Sequence, residues 1–227
     1  MLNVIGYGYD YLRVKTASEL DVKFVRERLP YLDLDERYYH GSRFVNLSGG
    51  SLEVVRIFED VERVILELSY TLPVTRLDVF VDVEGDIVED VISPGTAIMN
   101  GGRVETRYSE NLSDRGNRAV FCRAYDAMTA GHYDVPVTRF ECEFKRNAVR
   151  AILGYGEWKK NAVGCALRAF ALLLGINIEI PNIEHTEFRG VSKKYSHTRE
   201  RFYTRYGRGI LNDAENMGFA SDRKSVV

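Results

Sequence analysis

The fold turns on Thr75-Arg76-Leu77-Asp78-Val79-Phe80-Val81-Asp82-Val83. β-Branched and aromatic residues alternate here with charged ones, and a period of two is that of a strand. Leu77, Val79, Val81 and Val83 share one face, while Arg76, Asp78, Phe80 and Asp82 share the other. The apolar face needs a cover, which helices can supply. Val137 to Lys145, VTRFECEFK, repeats the design, with Arg139, Glu141, Glu143 and Lys145 opposite Phe140, Cys142 and Phe144. Two strands therefore carry Arg-x-acid on a single face. The expectation is an α+β fold, an antiparallel sheet with helices packed mainly on one face.

Working outward, Tyr9 to Thr16 reads as a first strand behind Gly6-Tyr7-Gly8. Ser18 can cap a helix whose apolar positions are Leu20, Phe24, Val25 and Leu29, stopped by Pro30. Arg43 to Leu47 and Ser51 to Phe58 read as a hairpin turning at Gly49-Gly50. A helix follows from Asp60 to Tyr70, with Val61, Val64, Ile65 and Leu68 on one side. The glycine-rich stretch Ser93 to Gly102 reads as a connection to two further strands, Arg103 to Tyr108 and Arg118 to Tyr125. A helical segment starts at Asn147, and a long apolar helix is expected from Asn161 to Leu174, ended by Gly175. Residues 1–180 thus read as one domain, followed by a basic, aromatic-containing C-terminal segment, 181–227, expected to be partly disordered.

The chain has 227 residues, 31 Lys plus Arg against 33 Asp plus Glu, and 45% hydrophobic residues. That composition excludes disordered, collagen-like and simple-repeat classes. No apolar run reaches the roughly 18 residues of a membrane span, and no signal pattern opens the sequence, so no membrane partner is expected. Three cysteines, Cys122, Cys142 and Cys165, have neither zinc nor redox spacing, and the odd number points to a reducing, cytoplasmic setting. The net charge of −2 hides a local excess. Between Glu187 and Arg208, seven cations (Arg189, Lys193, Lys194, Arg199, Arg201, Arg205 and Arg208) face only Glu187 and Glu200, a sum of +5. Phe188, Tyr195, Phe202, Tyr203 and Tyr206 interleave with them. Cations neutralise phosphates and rings stack on unpaired bases, which suits single-stranded nucleic acid; a solvated tail is the plainer alternative.

P-loop, G-x-G-x-x-G, H-E-x-x-H and G-x-S-x-G strings are all missing, which removes nucleotide hydrolases, Rossmann enzymes, zincins and α/β-hydrolases. His40, His132, His185 and His197 are scattered and read as surface residues. The carboxylates Asp78, Asp82, Glu141 and Glu143 remain, hard oxygen donors of the kind that hold Mg2+ or Mn2+ beside a phosphoryl group. The alternative is ion pairing, Arg76 with Asp78 and Arg139 with Glu141, on an exposed sheet face. Tyr125 stands at a strand end with Arg123 on the same side; beside metal-bound carboxylates a phenol can attack a phosphodiester, though strand tyrosines are more often packing residues.

In order, Asp10-Tyr11-Leu12-Arg13-Val14, Thr75 to Asp82, Arg123-Ala124-Tyr125-Asp126 and Arg139 to Lys145 resemble the rolling-circle replication initiation factor family, the Rep trans-type initiators of small plasmids and some filamentous phages. The resemblance spans roughly residues 8 to 175. It implies an endonuclease and strand transferase that nicks and rejoins one origin strand, keeping the 5′ phosphate on a tyrosine and freeing a 3′ hydroxyl as primer. Carried over, the Arg-x-Asp strand falls on Arg76 and Asp78, the Arg-x-Glu strand on Arg139 and Glu141, and the nucleophile on Tyr125. Asp78 and Glu141 become the metal ligands, with Asp82 and Glu143 as further same-face acids and Mg2+ or Mn2+ as cofactor. Where the family continues with Lys after the tyrosine, this chain has Ala127, and Arg123 is the nearest substitute. Tyr108 and Tyr133 are candidates for a second tyrosine. Expected partners are origin DNA as a hairpin or single strand, a host helicase and a second copy of the chain. Origin recognition is expected from Arg103 and Arg107 or from the segment containing Arg189, Lys193, Lys194, Arg199, Arg201 and Arg205. Two other readings stand beside this one: a catalytically degenerate DNA-binding regulator, and a structural or interaction protein on the same fold.

Overall fold

The computed structural model describes residues 3–90, 95–99, 104–108, 115, 119–153, 163, 164 and 166. Eight strands form one antiparallel sheet in the order β2-β3-β1-β4-β8-β7-β6-β5. They are β1 (Val4–Thr16), β2 (Asp35–Tyr39), β3 (Ser42–Ser48), β4 (Val74–Glu84), β5 (Gly95–Met99), β6 (Val104–Tyr108), β7 (Val120–Asp126) and β8 (Val137–Lys145). Among the described residues they are accompanied by α1 (Glu19–Arg28), α2 (Gly49–Phe58), α3 (Val61–Thr71) and α4 (Asn147–Leu153).

The helices bury their apolar stripes in one core. Val22 and Val25 of α1, Leu52 and Val55 of α2, Val64, Ile65 and Leu68 of α3, and Val149 and Ile152 of α4 meet the alternate residues Leu12, Leu77, Val79, Val81, Phe140, Cys142 and Phe144 of the sheet. The α+β arrangement with helices on one face is thus observed. Leu20, read as a core position of α1, is instead 74% exposed, and Val22 takes its place. Ser18 closes a capping box with Asp21, and Asp60 accepts from the backbone of Glu62 and Arg63 at the start of α3.

The expected hairpin at Gly49-Gly50 is not formed. Ser48 accepts a hydrogen bond from the Ser51 backbone and starts α2, whose Leu52, Val55 and Phe58 follow helical spacing. The hairpin lies one strand earlier, where His40 (φ 48°) and Gly41 (φ 72°) make the tight turn between β2 and β3. Two left-handed residues in a row suit that turn. β2 and β5 are strands where connections were expected, and β1 begins five residues before Tyr9. The helix expected over 161–174 and the division at residue 180 fall almost wholly outside the described residues.

Within β1 the register steps from Tyr9 opposite Val79 to Tyr11 opposite Asp78, so Asp10 is one residue too many and forms a bulge. Tyr9 lies in the core and its hydroxyl donates to Glu62 of α3, whereas Tyr11 falls on the polar side with Asp78. Among the described residues no helix is long and apolar enough to cross a membrane.

Candidate active site

The four strings that carry the resemblance fall on four neighbouring strands, β1, β4, β8 and β7. Register sets Asp78 opposite Glu143, Asp82 opposite Arg139, Arg123 opposite Glu141 and Tyr125 opposite Arg139. All of these side chains share the face away from the core. That face is not wet: Asp78, Glu141, Glu143 and Arg139 are each 1% exposed and Asp82 is fully buried. An exposed ion-paired surface, the plain alternative, is therefore ruled out; charges in this setting must be paired.

The pairing is thorough, and differs in one respect from that read along the strands. Arg76 grips Asp78, its Nε donating to Oδ1 at 2.7 Å and its Nη2 to Oδ2. Arg139, however, turns from Glu141 to Asp82, donating from Nε and Nη2 at 2.7 Å each, with Phe80 beneath its guanidinium at 3.7 Å. Glu141 is held by Arg123, from Nε to Oε2 at 2.6 Å, and accepts the Tyr125 hydroxyl on Oε1. Arg115 and Arg76 (3.2 Å) reach Glu143 Oε1, and Lys145 stands 3.1 Å from Oε2.

These partners bear on the metal assignment. Asp78, Asp82 and Glu141 each have both oxygens engaged by a guanidinium or a phenol, and Glu143 is ringed by three cations. Among the described residues no three His, Cys, Asp or Glu side chains are grouped to hold a cation. Asp78, Asp82 and Glu141 as placed do not fit a divalent metal, because an ion there would have to displace an arginine or the Tyr125 phenol, and the one oxygen of Glu143 without a hydrogen bond, Oε2, faces the Lys145 cation.

Asp10 is the residue that strand spacing concealed. Burial, and after it the charge of Glu141, push its carboxyl up to about 7, against the pull of Arg139 and Arg123. A carboxyl influenced by those groups belongs with the cluster, and the bulge is what brings it there. Burial likewise raises Asp78 to about 6 despite Arg76. Glu141 goes the other way: burial alone would raise it, but Arg123, the Tyr125 hydroxyl and Arg139 together hold it below the usual carboxylate range. Tyr125 is half-buried, and desolvation followed by the Glu141 charge keeps its phenol well above the ordinary value. The result is a protonated phenol on an ionised carboxylate.

His132, read as a surface residue, is 5% exposed with its ring centroid 6.1 Å from that of Tyr125. Tyr133 donates to Asp82 at 2.5 Å, so it stands by the cluster but on another carboxylate. Tyr108 is buried against Phe121, opposite Arg123. Ala127 is fully buried, its backbone N–H given to Val137. Arg107 sits opposite Ala124, on the side of the sheet away from Tyr125. Arg103, Arg189, Lys193, Lys194, Arg199, Arg201 and Arg205 lie outside the described residues.

No protein family and no curated protein matches this chain. Among solved structures, it is similar to a rolling circle replication initiator protein from Geobacillus stearothermophilus, over 86% of this chain and 96% of that one, at 15% identity and a TM-score of 0.46. At that distance the match transfers no residue's role.

Proposed function

We propose that the chain nicks and rejoins one strand of origin DNA, with Tyr125 as nucleophile and Glu141 as the group that takes its proton. The observation that carries this reading is the Tyr125 hydroxyl donated to Glu141 in a cluster flanked by Arg123 and Arg139. A phenol held well above pH 10 does not ionise by itself at neutral pH, so attack requires a base in contact with it. Glu141, kept ionised by its arginines, is that base.

As Tyr125 Oη bonds to phosphorus, its proton passes to Glu141 Oε1, and the bond from phosphorus to the 3′ oxygen breaks. The leaving oxygen takes a proton from solvent and becomes the 3′ hydroxyl primer. Arg123, half-buried beside the phenol, supplies positive charge to the phosphoryl oxygens. One phosphodiester replaces another, so the strand is rejoined by the same steps reversed. Helicase recruitment and self-association rest on the family resemblance alone. A cytoplasmic setting rests on the cysteine pattern.

The test incubates the protein with a supercoiled plasmid carrying its gene and flanks, with manganese or magnesium and again in EDTA, and probes for nicked circles and protein-linked DNA. An adduct formed by the native protein and lost in Tyr125→Phe is expected. Equal nicking by both proteins rejects the nucleophile. A second reading, DNA binding without cleavage, is favoured by Ala127, whose burial leaves no cation at that position. It predicts a salt-sensitive shift of DNA mobility and no adduct.

A further inference from the structure

Beyond the catalytic cluster, the same face carries a constellation that strand cleavage does not use. Register and alternation put Tyr11, Arg13 and Lys15 of β1, Phe44 and Asn46 of β3, and Arg37 and Tyr39 of β2 on the side of the sheet that bears Arg76 and Asp78. Arg13 is at its centre. Its guanidinium carbon lies 5.5 Å from the ring centroids of both Tyr11 and Tyr39 and 5.7 Å from that of Phe44. Its hydrogen bonds go to neutral oxygens, Asn46 Oδ1 and the Tyr11 hydroxyl, each at 3.0 Å. No carboxylate among the described residues pairs with it. On its other side Tyr11 meets Arg76, 4.5 Å from guanidinium carbon to ring centroid.

Arg76, Tyr11, Arg13 and Tyr39 therefore alternate cation and ring from β4 out to the sheet edge. Lys15, Arg37 and Tyr39 are exposed there, and Asp35, on the same face, is already engaged by Arg37 and Asn46. We propose that this row is a track for single-stranded DNA running to the strand-cleavage site, with unpaired bases on the rings of Tyr39 and Phe44 and phosphates on Arg13 and Lys15. It rests on the proposed function for the choice of DNA as the nucleic acid. Strands are spaced about 4.8 Å apart, so the five steps from β7 to β2 span roughly 24 Å. That is room for several extended nucleotides. A duplex keeps its bases stacked within itself and could use only the cations, and an acidic peptide would leave the rings idle.

The test measures anisotropy of a labelled mixed-sequence DNA strand of about 12 nucleotides, its duplex and the matching RNA strand, each against the full chain. Arg13→Gln and Tyr39→Ser are expected to weaken the single strand about five- to hundredfold. Arg13→Gln and Lys15→Gln should each lower the salt slope by about 0.7. Tyr39→Ser leaves duplex affinity unchanged, and the cation variants weaken the duplex less than the single strand. A doubly substituted Tyr39→Ser, Lys15→Gln protein, altered only at exposed positions, guards against misfolding. If it keeps native circular dichroism and native single-strand affinity, the track is wrong. Equal losses on duplex and single strand, or tenfold tighter binding of RNA, also overturn it. The two readings fail separately: an adduct with unaltered binding in the track variants removes only the track, and weakened binding without any adduct removes only the cleavage.

Discussion

At the scale of single residues, the polar face is a set of buried charges whose partners decide its stability. Arg139→Ala would strand Asp82 without its bidentate partner, a loss of about 3–5 kcal/mol measurable by urea unfolding. Tyr125→Phe leaves Glu141 Oε1 without its phenol donor and costs about 1–3 kcal/mol, so its activity must be compared at a temperature where both proteins are folded. Asp10 has the opposite sign. Its folded pKa of about 7 lies above the unfolded value of 3.8, so its contribution is present at low pH and is lost as pH rises through that window. Asp10→Asn should therefore raise Tm at pH 8 by several degrees and have little effect near pH 4. No gain at pH 8 would mean that Asp10 is ionised without cost.

At the scale of elements, what could be read in advance followed from how local the determinant was. β4 and β8 are legible because nine or more residues alternate without interruption, and α1 and α3 because Ser18 and Asp60 announce them. α2 was not legible as a helix: Leu52, Val54 and Phe58 keep the strand period while Leu52, Val55 and Phe58 keep the helical one, and the decision falls to Ser48, whose side chain caps the first turn. Ser48→Ala should accordingly cost about 1 kcal/mol, seen as a lower midpoint in denaturant with an unchanged slope. The charged residues of the site could be picked out by their alternation, but their pairing could not. Arg139 turns to Asp82 across the β4–β8 pair, a contact between residues 57 apart in the chain. Asp10 was hidden for a related reason, since a bulge breaks the alternation that would have placed it.

For the whole molecule, opposing titrations set where the fold is most stable. Glu141, Glu143 and Glu59 have folded pKa values below the unfolded one, so their contribution is lost as pH falls. Asp10 and Asp78 act in the other direction, losing theirs as pH rises toward about 7 and 6. Maximum thermal stability is expected near about pH 4 to 5, in a Tm series across pH. Topology adds a further consequence. The sheet is two runs of strands, β2-β3-β1-β4 and β8-β7-β6-β5, meeting along β4 and β8. Asp10, Arg76, Asp78 and Asp82 come from the first run, and Arg123, Tyr125, Arg139 and Glu141 from the second. The second run carries Tyr125, Glu141 and Arg123 but leaves Arg139 without Asp82, its bidentate partner, so a chain severed after Asp90 is expected to yield two pieces that do not nick alone. Nicking regained on mixing them would be a reporter of fragment complementation, and its onset would time the zippering of one half-sheet onto the other.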